Sequence, residues 1–185
     1  MAGSSIDVQK CSSLEKPSLS NICLVLDLDG FSSTQGFIPR EMGFSVVHAQ
    51  KDYGSYHYHP WLPYKDLSKN EKQTARHVQR HIHGMAYYPK DRKGRPYRQL
   101  FQDIQKLYQR SKIEGRFYVA YKGGTIGKDL LTKMKIPCLN LEMFGCPKFD
   151  SFLRLSSVGT CGHHDDPFKH HCPKLECHHF ALLNG

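Results

Sequence analysis

The residue types that do chemistry gather at two places in this chain. Near the C-terminus Cys161, Cys172 and Cys177 share a short stretch with His163, His164, His170, His171, His178 and His179, half of the chain's 12 histidines. Thiolates and imidazoles at that density suit zinc. Cys161-Gly162-His163-His164 spaces a cysteine and a histidine so that both reach one tetrahedral ion from a single turn, and Cys172 can close the site from the next helix. The fourth ligand then comes from elsewhere in the chain or from a neighbouring histidine. Near the N-terminus Asp27 and Asp29 stand one residue apart, so on a strand both carboxylates leave the same face and can share a divalent cation. His171 precedes Glu176 by five residues, a pairing of a general base with a carboxylate that helps hold a catalytic metal. Each pattern has a plainer counterpart: a solvated strand end, a histidine-rich tail with incidental thiols, and two exposed helix residues.

The elements that must position these groups follow from hydropathy. Ile22-Cys23-Leu24-Val25-Leu26 is a continuous apolar run broken by Gly30, which predicts a buried strand with Asp27 and Asp29 at its end. Residues 37–47 and 56–59 read as two further strands of an antiparallel meander, the second stopped by Pro60. Residues 65–84 are polar, so a helix there faces solvent or carries part of a binding surface. Leu100, Phe101, Ile104, Leu107 and Tyr108 recur at helical spacing over 99–111. A buried strand over 117–121, a Gly123-Gly124 turn, a short helix over 126–134 and a strand over 136–141 complete a βββαβαβ order. The expectation is an α/β fold with a mixed sheet flanked by helices. Residues 1–20 are serine-rich without apolar periodicity and read as a flexible leader, with one domain over 21–185.

Composition narrows the classes. Of 185 residues 39% are hydrophobic, enough for one core. No apolar run approaches a membrane span and the N-terminus lacks a signal-peptide core, which predicts an intracellular protein that is not membrane-bound. Seven cysteines without a secretory signal read as thiols or metal ligands and not as a disulfide framework. Lys and Arg number 26 against 17 Asp and Glu, a net charge of +9 that favours a polyanionic partner, nucleic acid first and RNA ahead of DNA. Lys90, Arg92, Lys93, Arg95 and Arg98 are candidate backbone contacts, and Trp61 is a candidate for stacking on bases, as are Tyr56 and Tyr58.

In order along the chain, from about residue 22 to 183, these pieces resemble the DEDDh-type 3′-to-5′ exonucleases of the RNase H-like fold. Asp27-Leu28-Asp29 stands where that family has Asp-x-Glu on its first strand, His83-Gly84-Met85 resembles its His-Gly-Ile segment, and His171 to Glu176 stands where it has a histidine followed five residues later by an aspartate. Closer still is the resemblance to two branches with an embedded zinc site, the exonuclease domain of arenavirus nucleoproteins and the Maelstrom domain. That resemblance implies Glu41 as the missing ligand, giving a structural Zn²⁺ held by Glu41, Cys161, His164 and Cys172.

The resemblance further implies Mg²⁺ or Mn²⁺ held by Asp27, Asp29, Glu176 and Asp129, with His171 as general base, for two-cation hydrolysis of RNA or DNA. The family's middle aspartate is expected where this chain has Thr125-Ile126-Gly127, and Asp129 is the nearest acid. Two functions are therefore carried forward: a metal-dependent exonuclease-like nuclease, and a Maelstrom-like, catalytically silent module that keeps fold and zinc and binds nucleic acid or protein. A plain zinc module without nuclease ancestry would leave Asp27, Asp29 and His83-Gly84 without a role.

Overall fold

The computed structural model of the chain describes residues 17–89, 93–146 and 172–184. Five strands form one mixed sheet in the order β3-β2-β1-β4-β5. Strand β1 (Ile22–Ser33) lies at its centre because its first five residues are apolar on both faces, as a strand covered from two sides requires. β2 (Gly36–Val46) and β3 (Tyr53–His57) extend the sheet as the expected antiparallel meander. β4 (Tyr118–Tyr121) and β5 (Cys138–Asn140) are added in parallel on the other side of β1.

The two faces of the sheet separate by the period-two rule. Leu24 and Leu26 of β1 pair with Val46 and Phe44 of β2, and these pack on Leu100, Ile104 and Leu107 of helix α2 (Gln99–Ser111) and Leu131 of helix α3 (Thr125–Lys133). Ile22 and Val25 lie in a second core with Cys177, Phe180 and Ala181 of helix α4 (Pro173–Asn184). Asp27 and Asp29 continue the Val25 side, so the residues with chemistry face α4 while the larger core fills the opposite side.

Helix α2 forms over the residues its periodicity predicts, whereas the single helix expected over 65–84 is divided. Tyr64–Asp66 make a 3-10 turn, Leu67 is buried in extended backbone, and Ser68 starts helix α1 (Lys69–Val78). The start is a capping box: the Ser68 hydroxyl accepts from the Glu71 N–H, and the Glu71 carboxylate accepts from the Ser68 N–H at 2.7 Å. A π-helical turn, Gln79–His83, prolongs α1 until Gly84 ends it at φ 67°. Two helices thus stand between β3 and β4, and α4 follows β5, so the expected βββαβαβ order is extended to βββααβαβα.

The leader expected over 1–20 lies outside the described residues up to position 16; Leu19–Asn21 form a 3-10 turn whose Asn21 carbonyl accepts from the Phe117 N–H. Among the described residues no helix is long and apolar enough to cross a membrane.

Candidate functional site beneath the C-terminal helix

The site is built on a glycine. Gly43 pairs with Asp27 across β1 and β2 and shares its face. A Cβ at Gly43 would lie 2.1 Å from the carbonyl carbon of Pro173, so the first turn of α4 rests on bare strand backbone. Cys172 immediately precedes that contact and Glu176 lies one helical turn beyond it. Asp29 pairs with Glu41, the next residue of β2 on that face, and Glu41 pairs with His57 of β3.

Burial gives the arrangement its electrostatics. Glu41 and Cys172 are fully buried and Glu176 is 4% exposed. The Cys177 thiol, in their midst, is held well above its ordinary pKa by burial first, and then by the charges of Asp27, Glu176, Cys172 and Glu41. Half-buried Asp27 from β1, buried Glu41 from β2, Cys172 just before α4, and Glu176 and Cys177 in its first turns therefore form one acid-rich and thiol-rich cluster. Nitrogen groups approach it from two sides: His57 Nε2 lies 3.6 Å from Glu41 Oε1, and the Lys122 ammonium nitrogen lies 3.7 Å from Glu176 Oε1. Lys122 is the residue after β4, and its ammonium also stands 5.0 Å over the Phe180 ring of α4. Farther along α4, His178 stacks on Tyr53 of β3 at 4.0 Å, and burial lowers the pKa of both His178 and His179.

Asp27 and Lys122 line a cavity of about 110 Å³ together with Gly124, Ile126, Gly127 and Leu130 of the β4–α3 turn and α3. Here the expected third acid is lacking. Gly127 of α3 packs on β4, where a Cβ would stand 3.3 Å from Tyr121 Cβ, and Asp129 is exposed and does not line the cavity. Burial first, and then the charges of Cys138, Asp129 and Glu142, raise the pKa of the Tyr121 hydroxyl. Asp27 and Glu176 both act on the Cys177 thiol, whereas Asp129 is exposed and outside the cavity that Asp27 lines.

His83, singled out in the sequence, docks the end of the π turn on β1: its Nε2 lies 3.2 Å from the Gly30 carbonyl, and its Nδ1 accepts from the Met85 N–H. Arg40, buried beside Glu41, donates to the carbonyls of Tyr58, Ala86 and Tyr87, and burial lowers its pKa to about 10. Both contacts fix the edge of the site next to Asp29.

Of the other residues expected from sequence, Cys161, His164, His171, Lys90 and Arg92 lie outside the described residues. Lys93 and Arg98 are exposed. Arg95 pairs with Asp103 at 2.7 Å and covers the Tyr56 ring at 3.9 Å, while Tyr58 is buried and donates to Asp103. Trp61 is half-buried, its indole N–H bonded to the Phe37 carbonyl. Arg95, Tyr56, Tyr58 and Trp61 thus hold the β3–α2 region together. Among the described residues no group of three or more His, Cys, Asp or Glu is arranged to hold a metal ion.

Sequence reasoning missed Gly43, His57 and Lys122, and it grouped Cys177 with the C-terminal thiols without giving it a place in the site. Lys122 carried a usable signal, since it directly follows a buried strand and precedes a Gly-Gly turn, the position at which a strand delivers a side chain to an edge site. Comparison of the chain with protein-family models, with curated proteins and with solved structures gives no match.

Proposed function

We propose that the chain is a nucleic-acid-binding module with an RNase H-like core, pinned by a structural zinc ion, in which Lys122 takes the part that a divalent cation plays in an active nuclease. The observation that carries this reading is the Lys122–Glu176 ion pair at 3.7 Å beside a cavity that Asp27 lines. A two-cation centre relies on several carboxylates crowded around two metal ions. Here Asp27 and Glu176 both act on the Cys177 thiol, Asp129 is exposed and does not line the cavity, and an ammonium already neutralises Glu176. The described residues therefore do not fit a pair of Mg²⁺ or Mn²⁺ ions.

Zinc fits better. A fully buried carboxylate, Glu41, and a fully buried thiol, Cys172, lie in one cluster, and such groups need a cation or a proton to be stable there. Cys161 and His164 would complete four ligands in a closed site, where the metal supplies a structural tie between β2 and the start of α4 and no open position for water. The +9 charge supports a polyanionic partner, with RNA ahead of DNA. The antiparallel meander extended by two parallel strands is compatible with the RNase H-like core.

A second reading, a working 3′-to-5′ exonuclease, is favoured by Asp27 on β1 and Glu176 on α4 both acting on the Cys177 thiol. It would use Asp27, Asp29, Glu176 and Asp129 for cations and His171 as base. The test is to incubate labelled single- and double-stranded RNA and DNA with the full chain in Mg²⁺ or Mn²⁺, with Asp27→Ala alongside. Retention of the strand without shortening is expected. Metal-dependent shortening that disappears in Asp27→Ala would replace the first reading with the second.

A further inference from the structure

We infer that His77 and His81 form a chelating site for a divalent transition-metal ion of the zinc, nickel and copper class, on the exposed face of α1 and its π-helical extension. The site is separate from the proposed zinc tie beneath α4 and does not rest on the nucleic-acid reading. Both imidazoles are exposed. Their ring centres stand 4.7 Å apart, with the planes tilted by 41°. That separation has a chemical meaning. With a metal–nitrogen bond of about 2.0–2.1 Å and about 1.2 Å from nitrogen to ring centre, each ring centre lies about 3.2 Å from a shared ion. Two imidazoles on one ion then have centres about 4.5 Å apart at a right angle and about 5.2 Å apart at the tetrahedral angle. The observed pair falls between the two. The outer torsion of an imidazole is broad, so each exposed ring can aim one nitrogen at the ion while the backbone stays in place.

The backbone produces this spacing. In an α-helix the fourth residue on stands about 40° past the first. His77 lies in α1 and His81 in the π turn Gln79–His83, which takes more residues per circle, so His81 falls closer to directly above His77. The stretch is held from its other side: Ala75 and Val78 pack in a core with Phe31, Ile38, Leu67 and Tyr87, and the buried His83 is docked on the Gly30 carbonyl. An ion therefore meets two donors on a helix that is already ordered, and little entropy is lost in bringing them together. The pair also lies in the closing turns of the helix, where the negative end of the backbone dipole favours a cation.

The donors set the class of ion. Neutral imidazole nitrogen suits zinc, nickel and copper, whereas Mg²⁺ and Ca²⁺ call for carboxylate and carbonyl oxygens. Two protein ligands leave the remaining positions to water, so the ion is exchangeable, unlike one in a closed four-ligand site. Arg76 and Arg80 directly precede the two imidazoles, and their charge lowers the affinity for any cation without removing the donors.

The experiment is calorimetric titration of Ni²⁺ into the full chain as purified, with zinc content measured by elemental analysis before and after. The variants are His77→Gln, His81→Gln and a register variant, His81→Gln/Ile82→His, which keeps two imidazoles but moves the second to the next position, itself exposed. Wild type is expected to bind one Ni²⁺ that all three variants bind at least about tenfold more weakly, because the second donor no longer adds an intramolecular contact. Zinc content should stay constant, and the four proteins should share one melting temperature before nickel is added. Wild-type affinity in either single variant, wild-type affinity in the register variant, or no uptake by wild type would each overturn the inference. Release of zinc in step with nickel uptake would place the nickel in the proposed structural site and overturn it as well.

Discussion

At Gly43 the absence of a side chain determines where the C-terminal helix sits. The strand alternation that puts Asp27 and Asp29 on one face is legible in the sequence, because period two follows from the pleat alone; that Glu41 joins them follows from the β1–β2 register. That Gly43 must stay bare is not legible there, since the constraint comes from a helix some 130 positions later in the chain. A Gly43→Val substitution sets a branched carbon against the Pro173 backbone, which cannot rotate aside. We predict a loss of at least about 1–3 kcal/mol, the usual cost of overpacking, read as a lower melting temperature; wild-type stability would show that α4 does not rest on this strand. Lys122 makes the complementary point with charge. Its partner Glu176 is almost wholly buried, so Lys122→Met leaves a carboxylate in a poor solvent, and destabilisation of the order of 3 kcal/mol is expected in metal-free buffer. A variant as stable as wild type by chemical denaturation would remove Lys122 from the site.

Helix α4 is the element on which the site depends, and it is the one whose pattern says least. From Cys172 to Ala181 every residue except Lys174 is buried, so the polar residues Glu176, His178 and His179 point into protein and no amphipathic stripe marks the helix. By comparison, α2 was readable because one face is apolar and the other wet. The polar packing of α4 predicts a pH response. Burial lowers the folded pKa of His178 and His179 below the ordinary 6.5, so the unfolded chain binds more protons in that range. Stability from these neutral imidazoles is fully present above about pH 6.5 and is lost as pH falls toward their lower folded values. Thermal melts between pH 7.5 and 5.5 should shift downward, and replacement of both by Phe should flatten that slope; a flat profile in the wild type would contradict the placement of these rings. The division of residues 64–83 into turn, α-helix and π turn has a similar lesson. Ser68 and Glu71 form a capping box that was present in the sequence, but the polar composition around it concealed where the helix began.

For the whole molecule, the fold became legible because a central apolar strand, a meander and one well-patterned helix dictate a mixed sheet with helices on both sides. The candidate site was legible only in its acids and thiols. The groups that meet them, the His57 imidazole on β3 and the Lys122 ammonium just after β4, are brought there by neighbours set in the assembled sheet. If zinc ties β2 to α4 through Glu41 and Cys172, metal content and folding are one property. The purified chain should carry one zinc per molecule by elemental analysis, and Cys172→Ser or a strong chelator should remove the metal and the cooperative melt together. A zinc-free chain with an unchanged transition would refute the tie. The central claim, that an ammonium substitutes for a catalytic cation between Asp27 and Glu176, is tested most directly by electron paramagnetic resonance of Mn²⁺ titrated into wild type, Asp27→Asn, Lys122→Met and the Lys122→Met/Asp27→Asn double variant. We expect wild type and Asp27→Asn to give the same trace, and Lys122→Met to gain a bound Mn²⁺ that the double variant loses. Mn²⁺ bound by wild type and released by Asp27→Asn would contradict the account.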